Sequence, residues 1–395
     1  MNFTGLIIGV PREIMEHEYR VAAIPETVKM LTDQGAKVFV EKGAGAAAHY
    51  YDDEYRKAGA DIVDDCEGIY SRADIIMKVK EPLFNEAKGK HEVAMMRQGQ
   101  VLVTFLHPAS PSNHRMVRDL AARGVTGLTL DGVPRITCAQ PMDALTSMST
   151  IAGYKGVIMA ADELTKFLPM VGTAVGVIQP SKVFVIGCGV AGLQALATAK
   201  RLGAAVYAAD IRAEAVEQAK SLGAQIVDTS VPAEMSVGAG GYALNLSNEW
   251  LEKERHAIRS AVVEADILVL TALVPGKIAP GLVTEEMVKE MKPGSVIVDI
   301  AVDQGGNCAI TDPGHICVKH GVTIIGTKNI PGYMPTSSTW LFAHNIFNFI
   351  SHFVKEGKPV IDRSDEIIAS SLVTFEGALV HTGALEAIAA AEKGA

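Results

Sequence analysis

Three glycines and one acid in this chain have the spacing of a dinucleotide site. Gly187, Gly189 and Gly192 follow the apolar run 183–186 in the pattern G-x-G-x-x-G, and an alanine-rich run suited to a helix comes next. Asp210 ends the following apolar run, eighteen positions after the last of these glycines. A strand, a tight turn, a helix and a second strand closed by an acid form the unit that binds the pyrophosphate and ribose of a dinucleotide.

Each part of this unit has a chemical role. The first glycine permits the turn, the second lets the backbone approach a phosphate, and the third lets helix and strand pack closely. The first helical turn, with Val190 and Ala191, offers free N–H groups to the phosphate. Asp210 can accept hydrogen bonds from both ribose hydroxyls and repels a 2′-phosphate, which favours NAD(H) over NADP(H). Arg212 leaves the opposite preference open, because a guanidinium can meet a 2′-phosphate. The alternative for the whole pattern is an ordinary strand–turn–helix corner that needs small residues.

Three further polar residues lie where predicted strands end. Arg20 is in the loop after the first strand, Lys80 follows the apolar run 75–79, and His107 follows the run 101–106. Because ligands of open parallel sheets bind at the carboxyl ends of the strands, these side chains could converge on one site. The alternative for each of them is a solvated charge on a loop.

Composition and charge exclude several classes of protein. A chain of 395 residues is long enough for about two domains, and a net charge of −9 argues against non-specific binding of nucleic acid. No apolar run reaches the ~18 residues of a membrane span, and no basic leader precedes the first apolar run. The five cysteines include no C-x-x-C pair, which predicts a reduced, cytoplasmic setting without a metal site.

The alternation of apolar and helical segments predicts an α/β protein with two doubly wound, parallel, Rossmann-like sheets. We expect a discontinuous first domain, residues 1–134 together with 330–395, of the substrate or catalytic type. The second domain, residues 135–329, is expected to bind NAD(H), with the cofactor in the cleft between the two domains.

Two loops are expected to contact the cofactor. Thr271, Ala272 and Leu273 leave the carboxyl end of an apolar strand at 267–270, where a cofactor would lie. The segment 135–147 joins the two predicted domains and is dense in side chains that can recognise an amide, which makes it a candidate nicotinamide clamp. Interdomain linkers are also often polar for solubility alone.

With these residues laid out, the chain resembles the family that joins alanine dehydrogenases to the NAD(H)-binding domain of proton-translocating transhydrogenase. Arg135, Gln140 and Asp143 match the loop with which transhydrogenases hold the nicotinamide, and Thr146 stands where a serine is usual. The glycine-rich excursion that includes residues 240–242 resembles a hairpin that touches the partner domain that binds NADP(H).

Other residues resemble those of alanine dehydrogenase. Lys80 and His107 match the residues that hold and protonate its 2-oxo acid, and Arg20 matches its carboxylate anchor. Asp303 matches its active-site aspartate, where transhydrogenases usually have an uncharged residue, and Asn329 matches the loop that follows. Transfer of hydride between two nicotinamides needs no proton donor, so the transhydrogenase hypothesis leaves Lys80, His107 and Asp303 unexplained.

Three hypotheses follow. The first, favoured by the global resemblance, is an NAD(H)-binding transhydrogenase component that passes hydride to NADP+ held by a partner, with NADP(H)-binding and membrane-spanning subunits on other chains. The second is a soluble NAD-dependent amino-acid dehydrogenase of the alanine type, which would take a small carboxylate substrate. The third is an NAD-binding regulatory protein without catalysis. We expect a cytoplasmic homo-oligomer, a dimer or larger, that binds no nucleic acid and reaches the membrane only through partner subunits.

Overall fold

Short apolar runs become the central strands of two sheets in the computed structural model, which describes residues 2–235, 246–274 and 278–394. The chain divides into two units: residues 1–148 with 332–395 form unit 1, and residues 149–331 form unit 2. The glycine-rich excursion around residues 240–242 lies outside the described residues.

Strands and helices alternate along the N-terminal segment of unit 1. In chain order the elements are β1 (Ile7–Val10), α1 (Pro25–Asp33), β2 (Lys37–Glu41), α2 (Asp52–Lys57), β3 (Asp61–Val63), α3 (Cys66–Tyr70), β4 (Ile75–Met77), β5 (Phe84–Asn85), β6 (Lys90–His91), α4 (Glu92–Met95), β7 (Val101–Thr104), α5 (His114–Ala122), β8 (Thr126–Thr129) and α6 (Ala144–Glu163), which continues into unit 2.

Unit 2 repeats this alternation. Its elements are β9 (Val171–Thr173), β10 (Gly176–Ile178), β11 (Lys182–Ile186), α7 (Val190–Arg201), β12 (Ala205–Ala209), α8 (Ala213–Ser221), β13 (Gln225–Ile226), α9 (Asn248–Glu264), β14 (Ile267–Leu270), α10 (Glu285–Glu290), β15 (Val296–Asp299), β16 (Ile316–Lys319) and β17 (Val322–Ile325).

The chain then returns to unit 1. The returning elements are α11 (Pro335–Phe353), β18 (Val354–Lys355), β19 (Lys358–Pro359), α12 (Glu366–Ser371), β20 (Leu372–Phe375), β21 (Ala378–Leu379) and α13 (Thr382–Gly394). Strand β20 pairs antiparallel with β8, so the C-terminal segment completes the first sheet.

Both sheets are dominated by parallel pairs. The strand order is β21-β20-β8-β7-β4-β1-β2-β3 in unit 1 and β13-β12-β11-β14-β15-β17-β16 in unit 2, and the antiparallel strands lie at the edges. The second order is that of a doubly wound nucleotide-binding sheet with one added edge strand. The predicted α/β class with two doubly wound, Rossmann-like sheets is confirmed.

The central strands are apolar throughout because each sheet is covered on both faces. In β4, Ile75 and Met77 join one hydrophobic core while Ile76 joins the core on the opposite face. In β14, Ile267 and Val269 face one core and the two leucines between and after them face the other. Side chains alternate along a strand, so a parallel sheet covered by helices on both faces needs an unbroken apolar run.

Two local features differ from the sequence prediction. The segment 135–148 was predicted to belong to the second domain, but it belongs to unit 1, where the carbonyl of Pro141 accepts a hydrogen bond from Asn345 Nδ2 at 2.9 Å. The loop predicted before the glycine motif contains a hairpin, in which β9 and β10 pair antiparallel from Val171 to Ile178. No apolar periodicity marks this hairpin, because most of its side chains are exposed.

Candidate functional site

The glycine turn of unit 2 has the shape that a bound pyrophosphate needs. Gly187, with φ of +91°, turns the chain between β11 and α7, and a Cβ there would lie 2.8 Å from the amide nitrogen of Ala272. A Cβ at Gly192 would overlap the carbonyl oxygen of Gly187. At Gly189 the neighbouring space is open, because the nearest atom to an added Cβ is Arg212 Nη2 at 3.9 Å. The first two positions therefore fit the chain to itself, whereas Gly189 leaves room for a ligand.

The N-terminus of α7 faces this open position. Gly189 is the residue that precedes the helix, and its first turn contains Val190, Ala191 and Gly192. The N–H groups of a first helical turn have no partner within the helix, and the helix dipole favours an anion beside them. Since the space that a Cβ would fill at Gly189 is open, these residues fit the pyrophosphate of NAD(H).

Asp210 lies at the carboxyl end of β12, as the sequence predicted, and its side chain is 5% exposed. Its Oδ2 accepts hydrogen bonds from the Cys188 amide at 2.6 Å and Arg212 Nη2 at 2.8 Å. Its Oδ1 accepts from the Arg212 amide at 2.8 Å and Nε at 3.0 Å. These four bonds match the four acceptor positions of a carboxylate, so a ribose diol would compete with the Arg212 guanidinium for Asp210.

The loop after β14 is held against the glycine turn. Thr271 donates from its amide to the Ile186 carbonyl at 2.9 Å and from Oγ1 to the Gly187 carbonyl at 2.6 Å. Ala272 follows at the position that touches Gly187, and Leu273 is 37% exposed. The three residues therefore lie at the strand end where a doubly wound sheet binds its ligand.

In unit 1, His107 pairs with an acid that the sequence analysis did not single out. Its Nδ1 lies 2.8 Å from Asp131 Oδ1, and its backbone N–H donates to Asp131 Oδ2 at 2.8 Å. His107 has φ of +44°, a conformation uncommon for any residue except glycine, and its ring stacks on Phe105 at a centroid distance of 5.8 Å. Asp131 directly follows β8 and Leu130, so its place at the end of an apolar run was the signal that could have identified it.

The pair tunes the charge of both partners. Burial lowers the pKa of His107, but the charge and hydrogen bond of Asp131 outweigh it, so the net pKa is raised. Burial raises the pKa of Asp131, but His107 and a hydrogen bond from Thr129 lower it to about 2. Lys80 lies near enough for its ammonium to oppose protonation of His107. The structure thus brings Lys80 and His107 together, with Asp131 fixing the imidazole.

Lys80 sits in a loop that two buried carboxylates hold at both ends. Glu13 Oε1 accepts from the amide of Val79 at 2.6 Å, and Glu92 Oε2 accepts from the amide of Leu83 at 2.9 Å. Lys78, which is fully buried, lies 3.2 Å from Glu13 Oε2 and 3.1 Å from Glu92 Oε1. Lys78 is therefore a structural cation, whereas Lys80, only two positions later, is partly exposed.

Arg20 has a buried partner. Its Nε and Nη2 bond the two oxygens of Glu18 at 2.7 and 2.5 Å, and its Nη1 contacts Met148 Sδ at 2.9 Å. The Arg20 side chain is only 2% exposed. The predicted role of Arg20 as a carboxylate anchor therefore requires a substrate that reaches a guanidinium already bound by Glu18.

The predicted nicotinamide clamp lies in unit 1 and caps a helix. Asp143 Oδ1 accepts from the Thr146 amide at 2.8 Å, and its Oδ2 accepts from Thr146 Oγ1 at 2.6 Å. Such bonds satisfy N–H groups in the first turn of a helix, here α6. Arg135 and Gln140 are exposed residues of the same segment.

Asp303 and Asn329 come together in unit 2, where the Asn329 amide donates to Asp303 Oδ2 at 3.3 Å. Asn329 is 8% exposed and has φ of +52°. The predicted convergence of Asp303 with Arg20, Lys80 and His107 spans both units and stays a prediction. Within the described ranges, no three His, Cys, Asp or Glu side chains form a group that could hold a metal ion. A search of the same ranges for a helix long and apolar enough to cross a membrane found none.

Comparison with known proteins identifies the family. The model "Alanine dehydrogenase/PNT, N-terminal domain" matches residues 9–152, and "Alanine dehydrogenase/PNT, C-terminal domain" matches residues 156–382. The chain is 44% identical over 377 residues to an NAD(P) transhydrogenase alpha subunit of Rhodospirillum rubrum, covering 95% of this chain and 97% of that protein. It is 33% identical over 388 residues to an alanine dehydrogenase of Staphylococcus haemolyticus, covering 96% and 95% respectively.

The fold agrees with these matches. The crystal structure of transhydrogenase from Sinorhizobium meliloti is similar with a TM-score of 0.82 at 38% identity, covering 95% of this chain and 100% of that one. The resemblance inferred from the glycine motif and the polar loops is thus confirmed. The chain belongs to the alanine dehydrogenase/PNT family and is an NAD-dependent oxidoreductase.

Proposed function

We propose that this chain is the NAD(H)-binding component of an NAD(P) transhydrogenase, which passes hydride between NADH and NADP+ held by a partner subunit. The observation that carries the proposal is the dinucleotide turn, whose Gly189 is open to a ligand while its neighbours are closed by the chain itself. Identity to a transhydrogenase alpha subunit along nearly the whole chain, at 44% against 33% for the alanine dehydrogenase, supports this choice of reaction.

Several residues of the chain have defined tasks under this proposal. The first turn of α7 binds the pyrophosphate, Asp210 holds the adenosine ribose, and Thr271–Leu273 border the rest of the cofactor. Arg135, Gln140, Asp143 and Thr146 hold the nicotinamide amide. The bound cofactor supplies the hydride. No group of the chain has to give or take a proton, because hydride passes from one nicotinamide ring to the other.

Location and assembly follow from the same proposal. The chain would act in the cytoplasm, held at the membrane by partner subunits that bind NADP(H) and span the bilayer. We also propose that it forms a homo-oligomer, a dimer or larger.

A second candidate function is favoured by the pair of His107 and Asp131. A raised imidazole pKa beside the Lys80 ammonium suits a group that protonates or orients a 2-oxo acid. An alanine-type dehydrogenase would use this group, with Asp303 receiving the ammonium, to interconvert a 2-oxo acid plus ammonium and an amino acid.

One pair of assays decides between the two functions. We expect the chain, mixed with the membrane-spanning and NADP(H)-binding subunits of a transhydrogenase, to oxidise NADH as NADP+ is reduced. We expect His107→Ala to keep this rate within about twofold, because hydride transfer needs no acid. Both are measured by absorbance, with an acetylated NAD analogue to separate the two spectra.

The control offers NADH with pyruvate and ammonium and no partner subunit. Turnover that is lost in His107→Ala while NADH binding persists would establish the dehydrogenase instead. In that event Asp131→Asn should move the alkaline limit of the reductive reaction to lower pH, because the imidazole loses the carboxylate that raises its pKa.

We expect binding to prefer NADH over NADPH and to depend on Asp210. Asp210→Ala should weaken NADH by about 1.5–3 kcal/mol, roughly one charged hydrogen bond. Arg212→Gln is the matched variant, because it frees Asp210 from its competitor and should strengthen the preference for NADH. Isothermal titration of both cofactors measures these changes, and NADPH binding as tight as NADH in the parent would contradict the expectation.

A further inference from the structure

A buried amide in unit 2 holds the cofactor loop from behind. Asn307, which is 0% exposed, accepts from the Ala272 amide through Oδ1 at 2.9 Å and donates from Nδ2 to the Ala272 carbonyl at 2.8 Å. The same Nδ2 donates to the carbonyl of Pro280 at 2.8 Å. One side chain thus satisfies both backbone polar groups of Ala272, as a neighbouring strand would.

Asn307 is itself fixed by a second buried residue. Its backbone N–H donates to both oxygens of Asp299, at 3.1 and 3.0 Å, and its carbonyl accepts from the amides of Leu282 and Val283. Asp299 also accepts from the Cys308 amide at 3.1 Å. Asp299 ends β15 and is fully buried, so Asn307 is anchored to the strand that neighbours β14.

The loop that Asn307 holds touches the glycine turn. The amide nitrogen and Cα of Ala272 would lie 2.8 and 2.9 Å from a Cβ at Gly187. The two backbones are therefore in close contact, and a shift of Ala272 must either press on the turn or open a gap beside it. Interiors are packed closely enough that such a shift is transmitted rather than absorbed.

We propose that Asn307 is a positioning residue that sets the distance between the loop 271–273 and the glycine turn, and so controls affinity for the nicotinamide half of NAD(H). This rests on NAD(H) binding and on no choice between the two reactions. Asp210 marks the adenosine side at β12, whereas Ala272 lies on the other side of β11, at β14. Only an amide supplies the donor and the acceptor that Ala272 requires at this place.

The test compares two probes in the full chain. Asn307→Asp keeps the shape but turns the donor into an acceptor that faces the carbonyls of Ala272 and Pro280. We expect it to weaken NADH binding tenfold or more while AMP binding changes less than threefold. Affinity for NADH should recover partly from pH 8 to pH 6, because a protonated carboxyl again donates.

Thr311→Val is the matched control. It removes a hydrogen bond of 2.9 Å to the same Asp299 but does not touch the loop, so both probes should bind as in the parent. Equal loss of NADH and AMP in the Asn307 variant, or no loss of NADH, would overturn the proposal, as would the same split in Thr311→Val. If Asn307→Asp does not fold, Asn307→Ser is judged by the same criteria. Failure of the parent to bind NADH at all would instead refute the cofactor site.

Discussion

Gly189→Ala should leave the chain folded and weaken NADH at least tenfold. A methyl group at this position meets no protein atom closer than Arg212 Nη2 at 3.9 Å, and the backbone, with φ of −74° and ψ of −166°, is open to alanine. The cost in stability should stay within about 1 kcal/mol, the usual difference between glycine and alanine before a helix. The methyl would occupy the space through which the backbone approaches the pyrophosphate, so the loss falls on binding.

Gly192→Ala is the matched opposite. Its methyl would overlap the carbonyl oxygen of Gly187 and lie 2.9 Å from the carbon of that group, so the helix or the turn must move. We expect a loss of about 3 kcal/mol of unfolding free energy, at the upper end of overpacking effects. Trp250 and Trp340 are the two tryptophans of the chain, one in each unit, so fluorescence in a Trp340→Phe background follows the urea unfolding of unit 2. NADH binding by Gly189→Ala equal to that of the parent would show that the pyrophosphate does not lie over this glycine.

Lys78→Met should destabilise unit 1 by about 3–5 kcal/mol, because it leaves two carboxylates buried without their cation. Burial already raises the pKa of Glu13 to about 7 even beside Lys78, and Tyr70 donates to Glu92 at 2.6 Å. Without the ammonium, the pKa of both acids should rise further. A carboxyl whose pKa is raised in the folded state stabilises the fold at low pH and loses that contribution as pH rises through the folded pKa. The destabilisation should therefore be larger at pH 8 than at pH 5.

Lys88→Met is the control for this variant. Lys88 also pairs with two acids, Asp65 at 2.9 Å and Glu67 at 3.2 Å, but all three side chains are partly exposed. Exposed ion pairs contribute at most about 1 kcal/mol, so this change should be small. Both are measured by urea unfolding of Trp340 in a Trp250→Phe background. Equal effects of the two substitutions, or a Lys78→Met effect that does not grow with pH, would contradict a buried charge cluster.

The sequence alone was enough for the fold and for the dinucleotide turn. Both depend on patterns that are local in the chain: apolar runs that must be strands covered on both faces, and glycines whose missing side chains a turn requires. Asp210 was placed correctly because the strand that precedes it pairs directly with β11. Limits of elements shifted by a few residues, and the hairpin β9–β10 was missed because exposed strands carry no apolar signal.

Only the tertiary structure decided which polar residues are exposed and which are structural. Lys78 and Lys80 lie two positions apart in the sequence, yet one is enclosed by acids 65 and 14 positions away and the other is partly exposed. Arg20 is bound by Glu18, and His107 acquires its raised pKa from Asp131, 24 positions further on. Asn307 reaches a loop 35 positions before it. A side chain's charge, exposure and hydrogen bonds depend on groups that folding brings from distant positions, so residue type and local spacing could not determine them.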